Sequence, residues 1–508
     1  MIMLRERENM DKKLLAKSLA YYSVCHLNRS GYDQIYLENL LLHRFHELEA
    51  SHLEIDKERI NKMEVPDEFI KELSNISDDL NFPIEIMGLL TPSPSEVIRD
   101  FWNKRSSINP SKALDNLYNL QIKNYYIQKT AIDKNVHWFY HFENNYLEIT
   151  INLSKPEKNN KDIATSLKKK EEIKYPQCIL CKENIGYSGN QFSPARENIR
   201  VIPVTLNQEK WFLQFSPYCY YYQHVIVINE EHTPMHINKD TFKCLCDFVE
   251  LFPEYFLGSN SDLPIVGGSI LSHEHYQGGK HKMPIMSAPV LFNIPCQDRE
   301  LKVDYLDWLN SCIRLQSTSK EKIVSAMDEI RSKWYQYSDK EVGIIAYTNE
   351  RHNAITPILC KEGNEFIAYV ILRNNRCDET YPDGIFHSHP EFHSIKKEGI
   401  GLIEAMGLLI LPGRLKRQMG EIAYILSQEN HPNLSNYFSQ NQDMIVHKDL
   451  LERLYKLYPN RISLKEAQQI LQDEISQTCY SILENTAVFK KTNQGIEHAK
   501  IFLKALEF

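Results

Sequence analysis

The spacing of apolar residues changes twice along this chain, and those changes constrain its fold more than any single motif. Apolar side chains recur at helical spacing through residues 12–75 and again from residue 440 to the end. In the centre, apolar and polar residues alternate over 135–153, which is typical of strands. A helical N-terminal region, a centre that mixes strands with helices, and a helical C-terminal segment predict an α+β protein.

A His-x-His pattern occurs twice, first at His273 and His275 and again at His387 and His389. A further histidine and lysines follow each pair, and this repetition predicts a duplicated α+β unit. The predicted regions are a mainly helical region 1–134, a first sheet unit 135–300, a second sheet unit 301–430 and a helical segment 431–508. We also predict helices over 301–315 and 320–335 and a strand over 342–347.

The composition narrows the class of protein. The 508 residues carry a formal net charge of −8, whereas a general nucleic-acid binder normally has a basic excess, so we expect no nucleic-acid partner. The N-terminus lacks the apolar core of a signal peptide. The most apolar stretch, 399–413, is too short to span a bilayer and contains Glu404. Eleven scattered cysteines indicate reduced thiols. We therefore expect a cytoplasmic protein without a membrane partner.

Residues 265–281 carry the pattern that points most directly to chemistry. His273, His275 and Gln277 are spaced two apart, so on an extended segment they form one polar row. Glycine pairs on both sides of this row leave room for phosphates to approach the backbone. Neutral imidazole is a good nucleophile toward phosphorus near neutral pH. The stretch predicts a histidine that attacks a nucleotide phosphate; without the glycines and the glutamine, a strand end with surface histidines would be the simpler interpretation.

Cys178 and Cys181 form a Cys-x-x-Cys pair that could hold half of a tetrahedral zinc site. The histidines available as further ligands are His224, His232, His236 and His273. His232 follows a predicted strand and precedes a turn, so it could reach the cysteines. The spacing alone leaves two buried thiols as an equal alternative, and a redox role lacks a thioredoxin-like setting.

Several motifs together resemble those of the galactose-1-phosphate uridylyltransferases, and most closely their second, bacterial class, also called UDP-glucose–hexose-1-phosphate uridylyltransferase. They are the Cys-x-x-Cys pair and the segments 183–189, 193–198, 258–279, 351–357 and 399–407. The resemblance covers nearly the whole chain. Because that family belongs to the histidine-triad superfamily, the resemblance implies that the two units are duplicated histidine-triad-like antiparallel sheets with flanking helices.

The resemblance also implies an activity, that of a nucleotidyltransferase in galactose metabolism. Such an enzyme transfers a uridylyl group from UDP-glucose to galactose 1-phosphate, giving UDP-galactose and glucose 1-phosphate. His275 matches the family's nucleophile, and Gln277 matches the residue that hydrogen-bonds the phosphoryl oxygens. The phosphate-binding stretch of the family is matched by Gly267, Gly268 and Ser269.

Further residues receive roles from the same resemblance. Relatives that bind zinc hold it as a structural ion, with ligands that match Cys178, Cys181, His232 and His273. Substrate contacts of the second half are expected at Lys396, Lys397 and Glu404. Members of the family are commonly homodimers, so we expect a homodimer here.

Some features depart from the family pattern or stay unassigned. Glu274 stands where the first class has proline, and on a strand it would face away from His275. The histidines of the second half, His352, His387, His389 and His393, receive no role. Two other functions stay open: a dinucleoside polyphosphate hydrolase or phosphorylase of the same superfamily, and a non-enzymatic nucleotide-binding or zinc-stabilised scaffold.

Overall fold

The computed structural model describes residues 11–154, 175–190, 193–268 and 270–506. These residues form two compact units. The first unit consists of the described parts of 1–133 and 158–232, and the second consists of the described parts of 134–157 and 233–508.

Helices and strands alternate through the centre of the chain, while both ends are helical. The helices are α1 (Lys12–His26), α2 (Gln34–Arg44), α3 (Lys57–Asn61), α4 (Asp67–Ser74), α5 (Phe82–Leu90), α6 (Pro94–Ser107), α7 (Pro110–Lys123), α8 (Lys129–Ile132), α9 (Lys239–Leu251), α10 (Lys320–Gln336), α11 (Leu402–Ala405), α12 (Arg414–Leu426), α13 (Leu434–Gln440), α14 (Lys448–Leu457), α15 (Leu464–Asn485) and α16 (Asn493–Lys504). The strands are β1 (Val136–Phe142), β2 (Asn145–Asn152), β3 (Ile202–Leu206), β4 (Glu209–Phe215), β5 (Val225–Asn229), β6 (Phe256–Gly258), β7 (His275–Gly279), β8 (Val290–Ile294), β9 (Lys302–Leu306), β10 (Cys312–Ser317), β11 (Asn353–Glu362), β12 (Glu365–Asn374) and β13 (Leu408–Pro412).

The first unit contains helices α1–α8 and the antiparallel strands β3, β4 and β5. Local sequence signals explain where several of these helices begin. The Asp11 carboxylate accepts a hydrogen bond of 3.0 Å from the amide of Lys13 at the start of α1. Helix α6 starts with a capping box, in which the Ser93 amide donates to Glu96 Oε2 at 2.7 Å. The predicted helical character of residues 12–75 is confirmed.

Two arginines satisfy the carbonyl groups at the C-terminal end of α5. Arg29 donates to the carbonyl oxygens of Leu90 and Thr91 at 3.1 and 2.9 Å, and Arg200 donates to those of Gly88 and Thr91 at 3.1 and 3.2 Å. Burial lowers the pKa of Arg200 to about 10, so it still carries its charge at neutral pH. Both cations therefore stabilise the negative end of the helix dipole as well as its unpaired carbonyls.

Glu197, close to the same helix, makes stability depend on pH. Its Oε2 is buried without a hydrogen-bond partner among the described residues. Burial, together with the charges of Glu85 and Asp79, raises its pKa from 4.5 to about 7. A carboxyl whose pKa is raised on folding favours the folded state below its unfolded pKa, and this contribution is lost as the pH rises through the folded value.

We therefore expect Glu197→Gln to raise the free energy of unfolding at pH 8 by about 1–2 kcal/mol, once solvent screening is allowed for. At pH 4 the wild-type carboxyl is mostly protonated in both states, so the variant should gain little there. Denaturant unfolding of both proteins at the two pH values measures the difference. An equal gain at both pH values would show that the carboxylate charge is not the cause.

The second unit contains a seven-stranded antiparallel sheet with the strand order β7-β6-β11-β12-β10-β9-β8. A separate three-stranded sheet has the order β1-β2-β13, with β13 parallel to β2. Helices α9 and α10 pack against each other and against β11. The strands expected over 135–153 are confirmed as β1 and β2.

Three strands, a helix and two strands occur twice along the chain. The first series is β3-β4-β5-α9-β6-β7, and the second is β8-β9-β10-α10-β11-β12. The α+β class is confirmed, and the repeated order agrees with the expected duplication. The boundaries proposed for the four regions stay predictions.

Two local predictions were wrong. Residues 301–315 form strands β9 and β10 rather than a helix. Their apolar residues are compatible with both periods, and pairing with β12, for example Ile313 opposite Val370, supplies the contacts that favour a strand. Residues 342–347 were expected as a strand, but Val342 ends a 3-10 helix (Lys340–Val342), and Ile344 and Tyr347 form only isolated bridges. No helix in the described part of the chain is both long and apolar enough to cross a bilayer.

Candidate active site and metal ligands

His275 opens strand β7 and is buried, with 6% of its surface exposed. Its Nδ1 lies 2.7 Å from the carbonyl oxygen of His273. A carbonyl only accepts, so Nδ1 carries the proton and the Nε2 lone pair is left for other contacts. Burial lowers the pKa of His275 to about 4, which keeps the ring neutral near pH 7. The local backbone thus fixes the tautomer of His275, and the neutral ring can act as a base or nucleophile through Nε2.

Gln277 follows two residues later on the same strand, so it shares a face of the sheet with His275. The ladder places Gln277 opposite Gly258, Gly258 opposite Ile358, and Ile358 opposite Tyr369. Directly paired residues of an antiparallel sheet project to one face. The predicted polar row is therefore compatible with the strand geometry.

Glu274, the residue between the two histidines, is directed elsewhere. Its carboxylate accepts a hydrogen bond of 3.0 Å from the hydroxyl of Tyr276, which is buried and alternates with His275 and Gln277 along β7. This contact agrees with the prediction that Glu274 faces away from His275.

Glycines are required where the backbone of this region packs closely. A Cβ on Gly278 would overlap the carbonyl oxygen of Phe256 on the neighbouring strand β6. A Cβ on Gly267 would overlap the carbonyl oxygen of Ser261, and one on Gly268 would lie 2.7 Å from Asn260 Nδ2. Gly267 is thus held against the backbone of Ser261, and Gly268 against the side chain of Asn260. Ser269, the third residue of the predicted phosphate-binding stretch, lies outside the described residues.

The substrate-binding residues predicted in the second half of the chain, Lys396, Lys397 and Glu404, have different surroundings. Lys396 is 3% exposed, and its Nζ lies 3.1 Å from Glu404 Oε1 and 2.9 Å from the carbonyl oxygen of Ile410. Lys397 is exposed. The segment around Glu404 meets the glycine stretch because the amide of Leu402 donates to Asn260 Oδ1 at 2.8 Å. Glu404 is therefore placed beside the predicted phosphate-binding residues, whereas Lys397 points to solvent.

Some residues of this region received no role from the sequence. Asp262 and Arg351 form an ion pair of 2.8 Å, in which the Asp262 side chain is only 2% exposed. Arg351 also stacks on the ring of Tyr335, with 4.0 Å between the guanidinium carbon and the ring centroid. Both charged residues lie in segments that resemble the family, 258–279 and 351–357, but their pairing follows only from the fold.

Three of the four predicted metal ligands lie together in the first unit. The Sγ atoms of Cys178 and Cys181 are 3.5 Å apart, and Cys181 Sγ lies 3.1 Å from His232 Nδ1. The ligand atoms of all three lie within 4.8 Å of one another. Asn184 supports this loop, since its amide donates to the carbonyl oxygens of Cys178 and Cys181 at 2.8 Å each. The remaining predicted ligand, His273, is buried in the second unit.

The donor set fits zinc, which prefers thiolate and imidazole ligands. Burial and the hydrogen bond with Cys178 raise the pKa of Cys181 to about 12. A bound cation would therefore be needed to hold this sulfur as a thiolate near neutral pH. The other two histidines considered as metal ligands, His224 and His236, have different surroundings. His224 packs on the ring of Tyr221 with 4.6 Å between centroids, and His236 is exposed.

In the part of the chain that the structure describes, the unassigned histidines of the second half do not form a metal site. Among the described residues, a group of three or more potential ligands occurs only at the Cys-x-x-Cys pair. His352 contacts Thr348 and Asn375, and His389 stacks on Tyr381.

Known proteins are similar in sequence to this chain over most of its length. Residues 30–234 match the N-terminal domain of galactose-1-phosphate uridyl transferases, and residues 248–443 match their C-terminal domain. The galactose-1-phosphate uridylyltransferase of Fusobacterium nucleatum is 45% identical over 83% of this chain and 82% of its own length. The corresponding protein of Ligilactobacillus salivarius is 39% identical over 97% and 99%.

A solved structure, yeast Ap4A phosphorylase Apa2, has a TM-score of 0.31 and 10% identity over 58% of this chain and 87% of that chain, which is too distant to support an argument. The curated relatives and both domain matches agree, and they place this chain in the galactose-1-phosphate uridylyltransferase family of nucleotidyltransferases.

Proposed function

We propose that this enzyme transfers a uridylyl group from UDP-glucose to galactose 1-phosphate through a covalent intermediate on His275. The Nε2 lone pair attacks the α-phosphorus of UDP-glucose. The bond from that phosphorus to the bridging oxygen breaks, and glucose 1-phosphate leaves with the electron pair. A phosphate oxygen of galactose 1-phosphate then attacks the same phosphorus, the N–P bond breaks, and UDP-galactose and free His275 result.

The observation that carries this proposal is the 2.7 Å hydrogen bond between His275 Nδ1 and the His273 carbonyl. It fixes the tautomer whose Nε2 is nucleophilic, and the same carbonyl stabilises the Nδ1 proton while Nε2 is bonded to phosphorus. No proton has to leave the ring for the adduct to form or to break down. A neutral imidazole suits both half-reactions.

Gln277 and the glycine stretch are proposed to bind the phosphoryl oxygens. The Gln277 amide would donate to the oxygens of the α-phosphate as negative charge accumulates on them. Gly267 and Gly268 would allow the phosphates to approach the backbone closely, and Ser269 would continue that stretch. Glu404, supported by its ion pair with Lys396, would accept hydrogen bonds from hexose hydroxyls, and Lys397 would reach the substrate only from the surface.

Gln277→Ala should slow uridylyl transfer by roughly 10²-fold, the scale of removing one preorganised donor. The step affected is chemical, so kcat should fall more than the KM for either substrate rises. Steady-state kinetics with both substrates varied measures the two constants. Gln316→Ala, on β10 outside the polar row, is a matched control for the loss of a glutamine side chain. Equal kinetics for the two variants would refute the role of Gln277.

For the metal, we propose that zinc is held by Cys178, Cys181 and His232 together with His273. Zinc bound by four protein ligands stabilises a fold and leaves no open coordination position for substrate. Its contribution here is to fix the Cys-x-x-Cys loop and the residue that precedes Glu274 and His275. Homodimer formation stays a prediction from the family resemblance, and a cytoplasmic location stays a prediction from the composition.

Mass spectrometry of the protein mixed with UDP-glucose alone tests the central claim. The expected result is one added UMP, mapped to His275, which disappears when galactose 1-phosphate is supplied and UDP-galactose forms. Absence of the adduct, or an adduct on another residue, would overturn the proposal. Release of the nucleotide by water or inorganic phosphate, with no transfer to a sugar phosphate, would favour the hydrolase or phosphorylase alternative.

A further inference from the structure

Two buried side chains, those of Arg373 and His387, hold the peptide groups on both sides of Ile400. Arg373 Nη2 donates to the carbonyl oxygen of Ile400 at 2.7 Å, and the amide of Ile400 donates to His387 Nε2 at 3.1 Å. Arg373 is 0% exposed and His387 is 3% exposed. Two side chains from different parts of the chain thus fix one residue of the segment that leads to Glu404.

The segment 399–404 is where Glu404 meets the glycine stretch. The amide of Gly401 donates to Glu404 Oε2 at 3.2 Å, so the carboxylate is tied to the residue that follows Ile400. A Cβ on Gly399 would lie 3.3 Å from the carbonyl oxygen of Ile265, next to the stretch proposed to bind phosphate. A shift of Ile400 would therefore move Glu404 relative to that stretch.

The sheet register places Arg373 on the same face as the catalytic row. Gln277 is linked through Gly258 and Ile358 to Tyr369, and Arg373 lies four residues after Tyr369 on β12, so both project to one face. Strands β7 and β12 are three steps apart in the sheet, about 15 Å. Arg373 thus lies on the same face of the sheet as Gln277, but three strands away from β7.

The pKa shifts of the two side chains agree with a neutral His387 that accepts a hydrogen bond and an Arg373 that stays charged. Burial, with the charges of Arg373 and Lys396, lowers the pKa of His387 to about 4, so its Nε2 accepts the Ile400 amide. Burial lowers the pKa of Arg373 to about 10, which leaves it charged. Its Nε and Nη1 have no hydrogen-bond partner among the described residues. A buried cation with two unpaired donor atoms costs folding free energy, and among the described residues the hydrogen bond of Arg373 to Ile400 offsets part of that cost.

We infer that Arg373 and His387 are positioning residues that hold Glu404 in place for the hexose through the backbone of Ile400. This inference rests on the proposed function, in which Glu404 binds hexose hydroxyls. Neither side chain touches the reacting phosphorus, so their loss should weaken sugar-phosphate binding and leave the intrinsic reactivity of His275 unchanged.

The test compares His387→Leu, which loses the acceptor, with His387→Gln, whose amide oxygen can still accept from the Ile400 amide. We expect the KM for galactose 1-phosphate to rise about 10- to 100-fold in His387→Leu and to recover in His387→Gln. Arg373→Met should resemble His387→Leu. Arg376→Met is the matched control, because Arg376 donates to the Gly343 carbonyl and not to Ile400. Uridylylation at saturating UDP-glucose should stay near wild type in all four variants.

Hydrogen exchange of peptides that cover residues 399–404 provides a readout independent of catalysis. Exchange should become faster in His387→Leu and Arg373→Met and stay unchanged in Arg376→Met. Unchanged exchange in His387→Leu, or an unchanged KM, would overturn the inference even if Arg373→Met fails to fold. Failure of the wild-type protein to form the UMP adduct would instead overturn the proposed function, while accelerated exchange would still support the structural role of His387.

Discussion

His275→Ala is expected to abolish uridylyl transfer, with a loss of at least ~10⁴-fold in turnover, while the protein stays folded. Both half-reactions need a bond between Nε2 and phosphorus, and no neighbouring side chain can replace that atom at the same place. His273 is buried and is a proposed metal ligand, and Glu274 is bonded to Tyr276. The residual rate should therefore reflect substrate binding without a nucleophile.

Intact-protein mass spectrometry and a coupled assay for UDP-galactose measure the adduct and the turnover of the same sample. His431→Ala, which removes a half-buried histidine stacked on Tyr455 outside the family motifs, is the matched control and should keep full activity. Circular dichroism and the melting temperature show whether His275→Ala remains folded. Substantial turnover by a folded His275→Ala protein would contradict the covalent mechanism.

The part of the candidate site that can be predicted from the sequence depends on short-range geometry. A period of two on an extended segment is enough to put His275 and Gln277 on one face and Glu274 on the other, and β7 has that geometry. The Cys-x-x-Cys pair likewise brings its two sulfurs together through one turn of the chain. Such relations need only the local backbone conformation.

Contacts between segments that are distant in the chain could not be predicted from the sequence in the same way. Asp262 and Arg351 are far apart in the chain, and their ion pair depends on the register between β6 and β11. The contacts of Arg373 and His387 with Ile400 depend on how the 375–401 loop returns across the sheet. The helix expected over 301–315 failed for the same reason, because strand pairing with β12 outweighed a local pattern that suits either structure.

Loss of the metal should have the second largest effect, and it should appear in stability rather than in chemistry. Cys178→Ser replaces a thiolate ligand by a hydroxyl, which binds zinc far more weakly. We expect bound zinc to fall from about one equivalent to under about a tenth. The free energy of unfolding should fall on the order of 5 kcal/mol and the melting temperature by about 10 °C or more.

Metal analysis of the purified proteins and thermal unfolding measure the two quantities. Cys25→Ser is the matched control, since Cys25 is exposed on α1 of the same unit and should change neither. Removing the metal from the wild-type protein with a chelator should lower its melting temperature toward that of Cys178→Ser. If the purified wild-type protein holds no metal and Cys178→Ser melts like Cys25→Ser, then Cys178 and Cys181 are thiols that bind no ion, and the hydrogen bonds of Asn184 help to hold the loop in its place. The contacts of Cys181 with Cys178 and His232 would then be hydrogen bonds among neutral thiols and an imidazole, rather than distances between ligands of one cation.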